Sequence, residues 1–211
     1  MRTTSAMMLA AAVILLGGCS AGPTVLPTST AYVPVPARAG MVVSSHALAS
    51  QVGLEVLRSG GNAVDAAVAT GLALAVVHPA AGNIGGGGFM IVRWKDGTTV
   101  AFDFRERAPA AAHDSMYVDA QGKYVDDVSH EGYLSVGVPG TVAGFDLALQ
   151  RFGTVGWDDL AAPAVHLAEE GIPLSWAMAD DFGDLAKDWR KYPSSARVFL
   201  KPDGSLYAAG D

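Results

Sequence analysis

Residues 79–109 read PAAGNIGGGGFMIVRWKDGTTVAFDFRERAP. Within this stretch, four consecutive glycines at 85–88 precede two apolar segments that Asp96-Gly97 separates. Asp-Gly between apolar segments is a strong hairpin signal, so the stretch predicts antiparallel strands at 89–94 and 99–104. On the second strand, apolar side chains alternate with side chains that are small or polar, which predicts that one face of the strand is buried. The residues of that face are Val100, Phe102 and Phe104.

The second predicted strand runs into an Asp-Phe-Arg-Glu segment at 103–106. A guanidinium is planar and always charged, and it suits capture of a carboxylate by two parallel hydrogen bonds. Arg105 is therefore the candidate binding residue, and Glu106 is the candidate support, orienting it by an ion pair. The alternative is that Arg105 makes only a structural ion pair with Asp103 or Glu106. Arg107 is interpreted as solvent-facing or structural.

Two further motifs flank this stretch, GGNAVDAA at 60–67 and GVPGTVAG at 137–144. In this order and spacing, the three motifs resemble the gamma-glutamyltranspeptidase family, from about Met41 to Asp211, over the front part of that family's large subunit. The resemblance implies an α/β (α+β) fold, a partial N-terminal-nucleophile hydrolase αββα sandwich with the large-subunit portion only. It also implies that Arg105 binds the alpha-carboxylate of a gamma-glutamyl group.

The resemblance further implies a gamma-glutamyltransferase and glutathione hydrolase. Its substrates would be glutathione or other gamma-glutamyl compounds, with an amino acid, a peptide or water as acceptor. In such enzymes an N-terminal threonine attacks the amide, and its own amine serves as the base. That threonine belongs to a Thr-Thr-His type segment of the small subunit. The threonine pairs here, Thr3-Thr4 and Thr98-Thr99, are not followed by histidine. We therefore expect no catalytic residue in this chain, which would be an N-terminal fragment, inactive alone, with the small subunit as its missing partner.

Two other functions stay open at this stage. The chain could be a non-catalytic, membrane-tethered remnant or binding protein, which the reading frame downstream of Asp211 would distinguish from the enzyme. It could also belong to a related cephalosporin-type acylase, which substrate profiling would separate.

Composition and spacing argue against several classes of partner. The chain has 211 residues, 50% of them hydrophobic, and a net charge of −7. These values favour a folded protein and disfavour nucleic acid as a partner. A strand follows the glycine run and no lysine lies near it, unlike a phosphate-binding loop. The run is interpreted as allowing close backbone packing, with lining of the substrate cavity as the alternative. The histidines lack metal-site spacing, so we expect neither cofactor nor metal.

The N-terminal residues resemble a bacterial lipoprotein leader. Arg2 precedes an apolar run at 7–16, and Leu16-Gly17-Gly18-Cys19 resembles a lipobox. We expect a signal peptide at 1–19 with lipidation of Cys19, a Pro/Thr-rich linker at 20–40 and the family-like domain at 41–211. The protein would then be anchored at the bacterial cell envelope, facing the periplasm or the exterior. The alternative is a plain secretory signal that is cut near Ala21-Gly22.

The remaining pattern predicts short elements around the hairpin. The predicted helix that Asn62 caps is apolar on all sides, and a helix of this kind should be buried. An open hairpin face without its partner layer should make the isolated chain unstable. In chain order, the other predicted elements are a buried strand at 41–44, a helix from the cap Ser45 to 58, a surface excursion at 108–133, a helix at 141–152, two short turns or a kinked helix around Pro163 at 157–170, a short helix at 175–185 and coil from 191.

Overall fold

The computed structural model describes residues 36–211, so Cys19 and most of the predicted linker lie outside the described residues. Ala39–Asp211 is one compact unit. In chain order its elements are α1 (Ala47–Arg58), α2 (Ala63–Val77), β1 (Phe89–Arg93), β2 (Thr99–Asp103), α3 (Asp126–His130), a 3₁₀ turn (Tyr133–Ser135), α4 (Thr141–Phe152), α5 (Trp157–Glu170), α6 (Trp176–Trp189) and α7 (Pro193–Phe199). No helix within residues 36–211 is long and apolar enough to cross a membrane.

The predicted hairpin is confirmed. β1 and β2 pair antiparallel with Ile91 opposite Ala101, and each strand ends one residue earlier than predicted. Backbone hydrogen bonds between Gly88 and Phe104 carry the pairing one step beyond β2. Val100, Phe102 and Phe104 face inward and pack on helices α2 and α4, as the alternation predicted.

Helix α2 is the centre of the core. Asn62 caps it, and the Asp65 side chain returns a bond to the Asn62 backbone, which completes a capping box. Most of its side chains are buried, as its apolar sequence predicted, but burial on all sides is wrong. One face is open, where Ala63 and Ala67 are exposed and Leu74 is half-buried. Val68 and Leu72 pack with Phe145 of α4 and Ala164 of α5, while Ala73 and Val77 pack with α1.

The helices cover one face of the hairpin and leave the other exposed. On the open face, Phe89 is 64% exposed and Ile91 is 74% exposed. The described residues thus form a helical layer on a two-stranded sheet, which is the mixed, partial architecture that was expected. An apolar sheet face of this kind favours association, so low stability of the isolated chain stays a prediction.

Two predictions near the start of the unit are wrong. Residues 41–44 form no strand, and Val43 is exposed. A strand needs a neighbouring strand to bind its backbone, and among the described residues only β1 and β2 pair with each other. The cap of α1 is His46 rather than Ser45, because His46 Nδ1 accepts the Leu48 N–H at 3.3 Å.

Tertiary packing also extends the helices near the end of the chain. Helix α5 is continuous through Pro163 rather than two short turns, because its buried residues Leu160 and Ala164 hold it on the core. Helix α6 continues to Trp189, beyond the predicted end at 185. The predicted coil contains α7, whose Phe199 stacks on Trp189 with ring centroids 4.7 Å apart.

The predicted surface excursion at 108–133 contains only the short helix α3 and one isolated backbone bridge, between Val118 and Tyr124. An ion pair attaches its end to the C-terminal helices. Lys191 Nζ lies 2.9 Å from a carboxylate oxygen of Glu131 and 2.9 Å from one of Asp188.

A buried carboxylate joins α2 to the turn between α4 and α5. Asp65 is fully buried, and its oxygens accept the backbone N–H groups of Asn62, Thr154 and Val155 at 2.8, 2.9 and 3.3 Å. The Thr154 hydroxyl donates a fourth bond at 2.6 Å. Burial by itself raises the pKa of Asp65, but the hydrogen bonds from Thr154, Asn62 and Val155 favour the ionised form and leave the pKa below its ordinary value.

Asp65→Asn should lower the free energy of unfolding by about 1–3 kcal/mol. The amide nitrogen of asparagine would face N–H or O–H groups whose hydrogen bonds the carboxylate now accepts. Urea unfolding near neutral pH measures this change. Asp184→Asn is the matched control, since Asp184 is exposed on α6. It should change the free energy by less than about 0.5 kcal/mol.

The same pair of proteins tests the sign of the pH dependence. Because the pKa of Asp65 is lower in the folded state, its contribution is complete above the ordinary aspartate pKa of about 3.9 and is lost as pH falls through the folded value. The difference between wild type and Asp65→Asn should be constant from about pH 7 to 5 and shrink below about pH 4. A difference that grew on acidification would contradict this account.

Two helical glycines should respond in opposite directions to alanine. At Gly144 in α4, an added Cβ would overlap the Phe104 ring, whereas at Gly183 in α6 it would meet nothing within 4 Å. Gly144→Ala should therefore lower the free energy of unfolding by about 1–3 kcal/mol. Gly183→Ala should raise it by about 0.4–1 kcal/mol, because alanine restricts the unfolded chain. Equal effects in urea unfolding would refute the close contact with Phe104.

Candidate functional site

Arg105 lies just beyond the end of β2, where the chain leaves the hairpin. Its backbone N–H donates to Asp103 Oδ1 at 3.1 Å. Its guanidinium binds the Glu106 carboxylate through two bonds, Nη2 to Oε1 at 2.9 Å and Nε to Oε2 at 3.3 Å. The Arg105 Cζ atom also lies 5.9 Å from the centre of the Phe89 ring. These contacts hold a side chain that remains 57% exposed.

The two charges of this pair reinforce each other. The hydrogen bond and the charge of Glu106 raise the pKa of Arg105, and the hydrogen bond from Arg105 lowers the pKa of Glu106. Both groups are therefore ionised near neutral pH. The pairing agrees with either sequence interpretation of Arg105, as a binding residue that Glu106 orients or as one half of a structural ion pair.

The guanidinium keeps hydrogen-bonding capacity for a further anion. Arginine carries five N–H donors, and the side-chain bonds of Arg105 within residues 36–211 use only Nε and Nη2. The Nη1 donors and the second Nη2 donor stay unused, and these two nitrogens form one edge of the planar group. That edge can bind a carboxylate by two parallel bonds while Glu106 occupies the other edge.

The glycine run packs directly behind this pair. An added Cβ at Gly87 would overlap the Glu106 carboxylate and lie 2.5 Å from the Glu106 nitrogen and 2.7 Å from the Phe104 oxygen. Close backbone packing, one of the two sequence interpretations of the run, is thus what the structure contains at Gly87. At Gly85, by contrast, an added Cβ would meet nothing within 4 Å.

A cavity of about 250 Å³ opens between the end of β2 and the start of α4. Arg105 lines it together with Arg107, whose backbone pairs with Val138 in both directions. Arg107 is exposed, as the sequence interpretation held. Other lining residues are Asp103, Phe104, Pro139 and Leu147.

Sequence reasoning missed two residues that bind the glycine run behind the pair, Asn83 and Thr141. Thr141 Oγ1 donates to Asn83 Oδ1 at 2.7 Å, across 58 positions of the chain. Both stand beside motif glycines, at positions where no local pattern predicts a long-range bond. Within the described part of the chain, no group of three or more His, Cys, Asp or Glu side chains is arranged to hold a metal ion.

Comparison with known proteins places this geometry in a family. The model of the family described as Gamma-glutamyltranspeptidase matches residues 49–211. A glutathione hydrolase proenzyme of Escherichia coli (strain K12) is 44% identical over 211 residues, covering 96% of this chain and 36% of the relative. One of Pseudomonas sp. (strain A14) is 46% identical over 183 residues, covering 87% of this chain and 32% of the relative.

A solved structure agrees with the sequence matches. The crystal structure of Helicobacter pylori gamma-glutamyltranspeptidase superposes with a TM-score of 0.82 at 47% identity, covering 85% of this chain and 51% of that chain. The present chain spans about a third of the length of the curated relatives that it matches. The family model covers most of the chain, and the fold agrees with it, so the chain belongs to the gamma-glutamyltranspeptidase family.

Proposed function

We propose that this chain is the front part of the large subunit of a gamma-glutamyltransferase and glutathione hydrolase. Arg105 binds the alpha-carboxylate of the gamma-glutamyl group in glutathione or another gamma-glutamyl compound. The observation that carries the proposal is that Arg105 lines the cavity, and that Glu106 binds one edge of its guanidinium and leaves the other edge unused within residues 36–211. The names of the relatives as glutathione hydrolase proenzymes support the choice of substrate.

In this proposal the chain binds and orients the substrate, and the bond-breaking groups come from elsewhere. A threonine on a small subunit attacks the gamma-glutamyl amide, with its own α-amine as the base. The gamma-glutamyl group then passes to an amino acid, a peptide or water. Glu106 keeps the Nη1 and Nη2 edge of Arg105 directed to the substrate, so that the carboxylate meets a preformed pair of donors.

We further propose that Cys19 carries a lipid and anchors the protein at the bacterial cell envelope, facing the periplasm or the exterior. The support is the sequence pattern alone, a basic residue, a short apolar run and Leu-Gly-Gly-Cys. The linker at 20–40 would then hold the folded unit away from the membrane surface.

Arg105→Ala tests the binding role in a complete protein, made by extending the chain after Asp211 with the remaining part of the Escherichia coli relative. The kcat/KM for gamma-glutamyl-p-nitroanilide should fall roughly 30- to 5,000-fold, mainly through KM, because a carboxylate would enter a site without its partner. Arg105→Lys should recover only part of the loss, since an ammonium cannot form the bidentate fork.

Arg58→Ala is the control, because Arg58 is an exposed arginine of α1 that pairs with Glu55. Its kcat/KM should stay within about twofold of wild type. If Arg105→Ala stayed folded and kept kcat/KM within about threefold of wild type, Arg105 would be structural. Product release from a cephalosporin-type amide in place of the gamma-glutamyl substrate would favour the acylase alternative.

Cys19→Ala tests the anchor. Labelled fatty acid should appear on the wild-type protein in bacterial cells, and the variant should lose the label and move to the soluble fraction. Thr28→Ala, a change within the linker, should keep both the label and the membrane fraction. A wild-type protein without label in the soluble fraction would overturn the proposed lipidation.

A further inference from the structure

Thr141 is a buried polar residue that the proposed function does not use. It is only 3% exposed, at the first position of α4. Its hydroxyl does not cap its own helix but donates to Asn83 Oδ1 at 2.7 Å. The same Asn83 oxygen accepts the Gly86 N–H at 3.0 Å. One side-chain oxygen therefore joins the start of α4 to the glycine run.

A second set of bonds holds the same glycine. The Gly86 carbonyl accepts the backbone N–H groups of Gly140 and Thr141, at 2.8 and 3.1 Å. Both polar groups of the Gly86 backbone are thus tied to the start of α4, one directly and one through Asn83. Thr141 takes part in both ties, with its backbone and with its hydroxyl.

The residue after Gly86 connects the glycine run to the candidate site. Gly87 lies against the Glu106 carboxylate and the Glu106 backbone nitrogen, and Gly88 pairs with Phe104 on the hairpin. A shift of Gly86 would carry Gly87 with it and change the space in which the Glu106 carboxylate sits. Since that carboxylate holds two nitrogens of Arg105, the guanidinium would move as well.

We infer that Thr141 and Asn83 are positioning residues for Arg105, acting through Gly86, Gly87 and Glu106. This inference rests on the proposed binding role of Arg105. Neither residue touches the substrate; together they fix the wall against which the Glu106–Arg105 pair is built. Sites hold their geometry only when the residues behind them are themselves fixed by packing and hydrogen bonds.

Thr141→Val removes the hydroxyl while keeping the shape of the side chain. Of the two bonds that Asn83 Oδ1 accepts within residues 36–211, the one from the Gly86 N–H then remains. A misplacement of about 1 Å in a site can cost about 100-fold in rate. Because the backbone bonds to Gly86 remain, we expect a smaller effect, a rise of about tenfold in KM for a gamma-glutamyl donor with little change in kcat.

The first measurement uses the complete protein of the Arg105→Ala test and needs no turnover. In a ¹⁵N–¹H spectrum, the Nε–H signal of Arg105 reports its bond to Glu106, and Arg105→Lys assigns that signal. Thr141→Val should shift or broaden the Arg105 signal relative to wild type. Thr141→Ser keeps the hydroxyl, so its signal should match that of wild type. Thr70→Val is the matched control, because within residues 36–211 the buried Thr70 hydroxyl bonds only inside α2, to Ala66 O. It should leave the signal unchanged.

The second measurement is a double-mutant cycle in the complete protein described above. Thr141→Val should raise KM about tenfold, Thr141→Ser should stay near wild type, and Thr141→Val should add nothing to Arg105→Ala. A purely structural role predicts instead that Thr141→Val impairs both backgrounds equally, and that result would overturn the inference.

The outcomes separate this inference from the proposed function. If Arg105→Ala has no effect on KM, the binding role fails, and the Arg105 signal still tests the positioning network. If Arg105→Ala raises KM but Thr141→Val changes neither KM nor the signal, the binding role stands and the inference is wrong. Thermal unfolding of Thr141→Val and Thr141→Ser confirms that the compared proteins are folded.

Discussion

The close packing around Phe104 is the constraint on which the rest of the structure depends. Its backbone pairs with Gly88, and its ring packs edge-on against Phe145 with centroids 5.8 Å apart. Its carbonyl and ring lie so close to α4 that a Cβ at Gly140 or Gly144 would overlap them. Three segments that are distant in sequence therefore meet at one residue of the hairpin. Because Arg105 follows Phe104 directly, this packing also places the guanidinium.

The helical layer gives that meeting point a rigid support. Helix α2 fills the centre of the core, and the Asp65 carboxylate fixes its start to the turn that follows α4. A buried charge is tolerated there because four donors surround it. The support is one-sided, since the outer face of the hairpin keeps Phe89 and Ile91 exposed. The chain spans about a third of its curated relatives, and an apolar sheet face of this kind is suited to a further layer of protein.

In the candidate site, the group that holds Arg105 and the proposed ligand would bind different edges of its guanidinium. Glu106 uses one edge of the guanidinium and, within residues 36–211, leaves another edge with free donors, and Arg105 lines a cavity. The same ion pair that a structural interpretation would require is thus compatible with the proposed binding of a carboxylate by Arg105. Behind it, the Thr141–Asn83–Gly86 bonds supply polar contacts that glycine residues alone cannot make. The glycines allow the approach, and the side chains of Asn83 and Thr141 fix its distance.

The sequence by itself determined the hairpin, the start of α2 and the resemblance to the family. Asp96-Gly97 and the alternation of Val100, Phe102 and Phe104 determine the hairpin and its buried face, and Asn62 with Asp65 determines the start of α2, because these signals act over a few residues. Only the tertiary structure decided that α5 continues through Pro163, that α7 forms where coil was predicted, and that 41–44 is not a strand. Packing on α2 carries α5 through Pro163, stacking of Phe199 on Trp189 accompanies α7, and 41–44 has no neighbouring strand among the described residues. Each case depends on contacts that reach beyond the element itself. At the site, the local motif was enough to identify Arg105 and Glu106 as candidates. The bond from Thr141 to Asn83 spans 58 positions of the chain, so only the folded structure could reveal it.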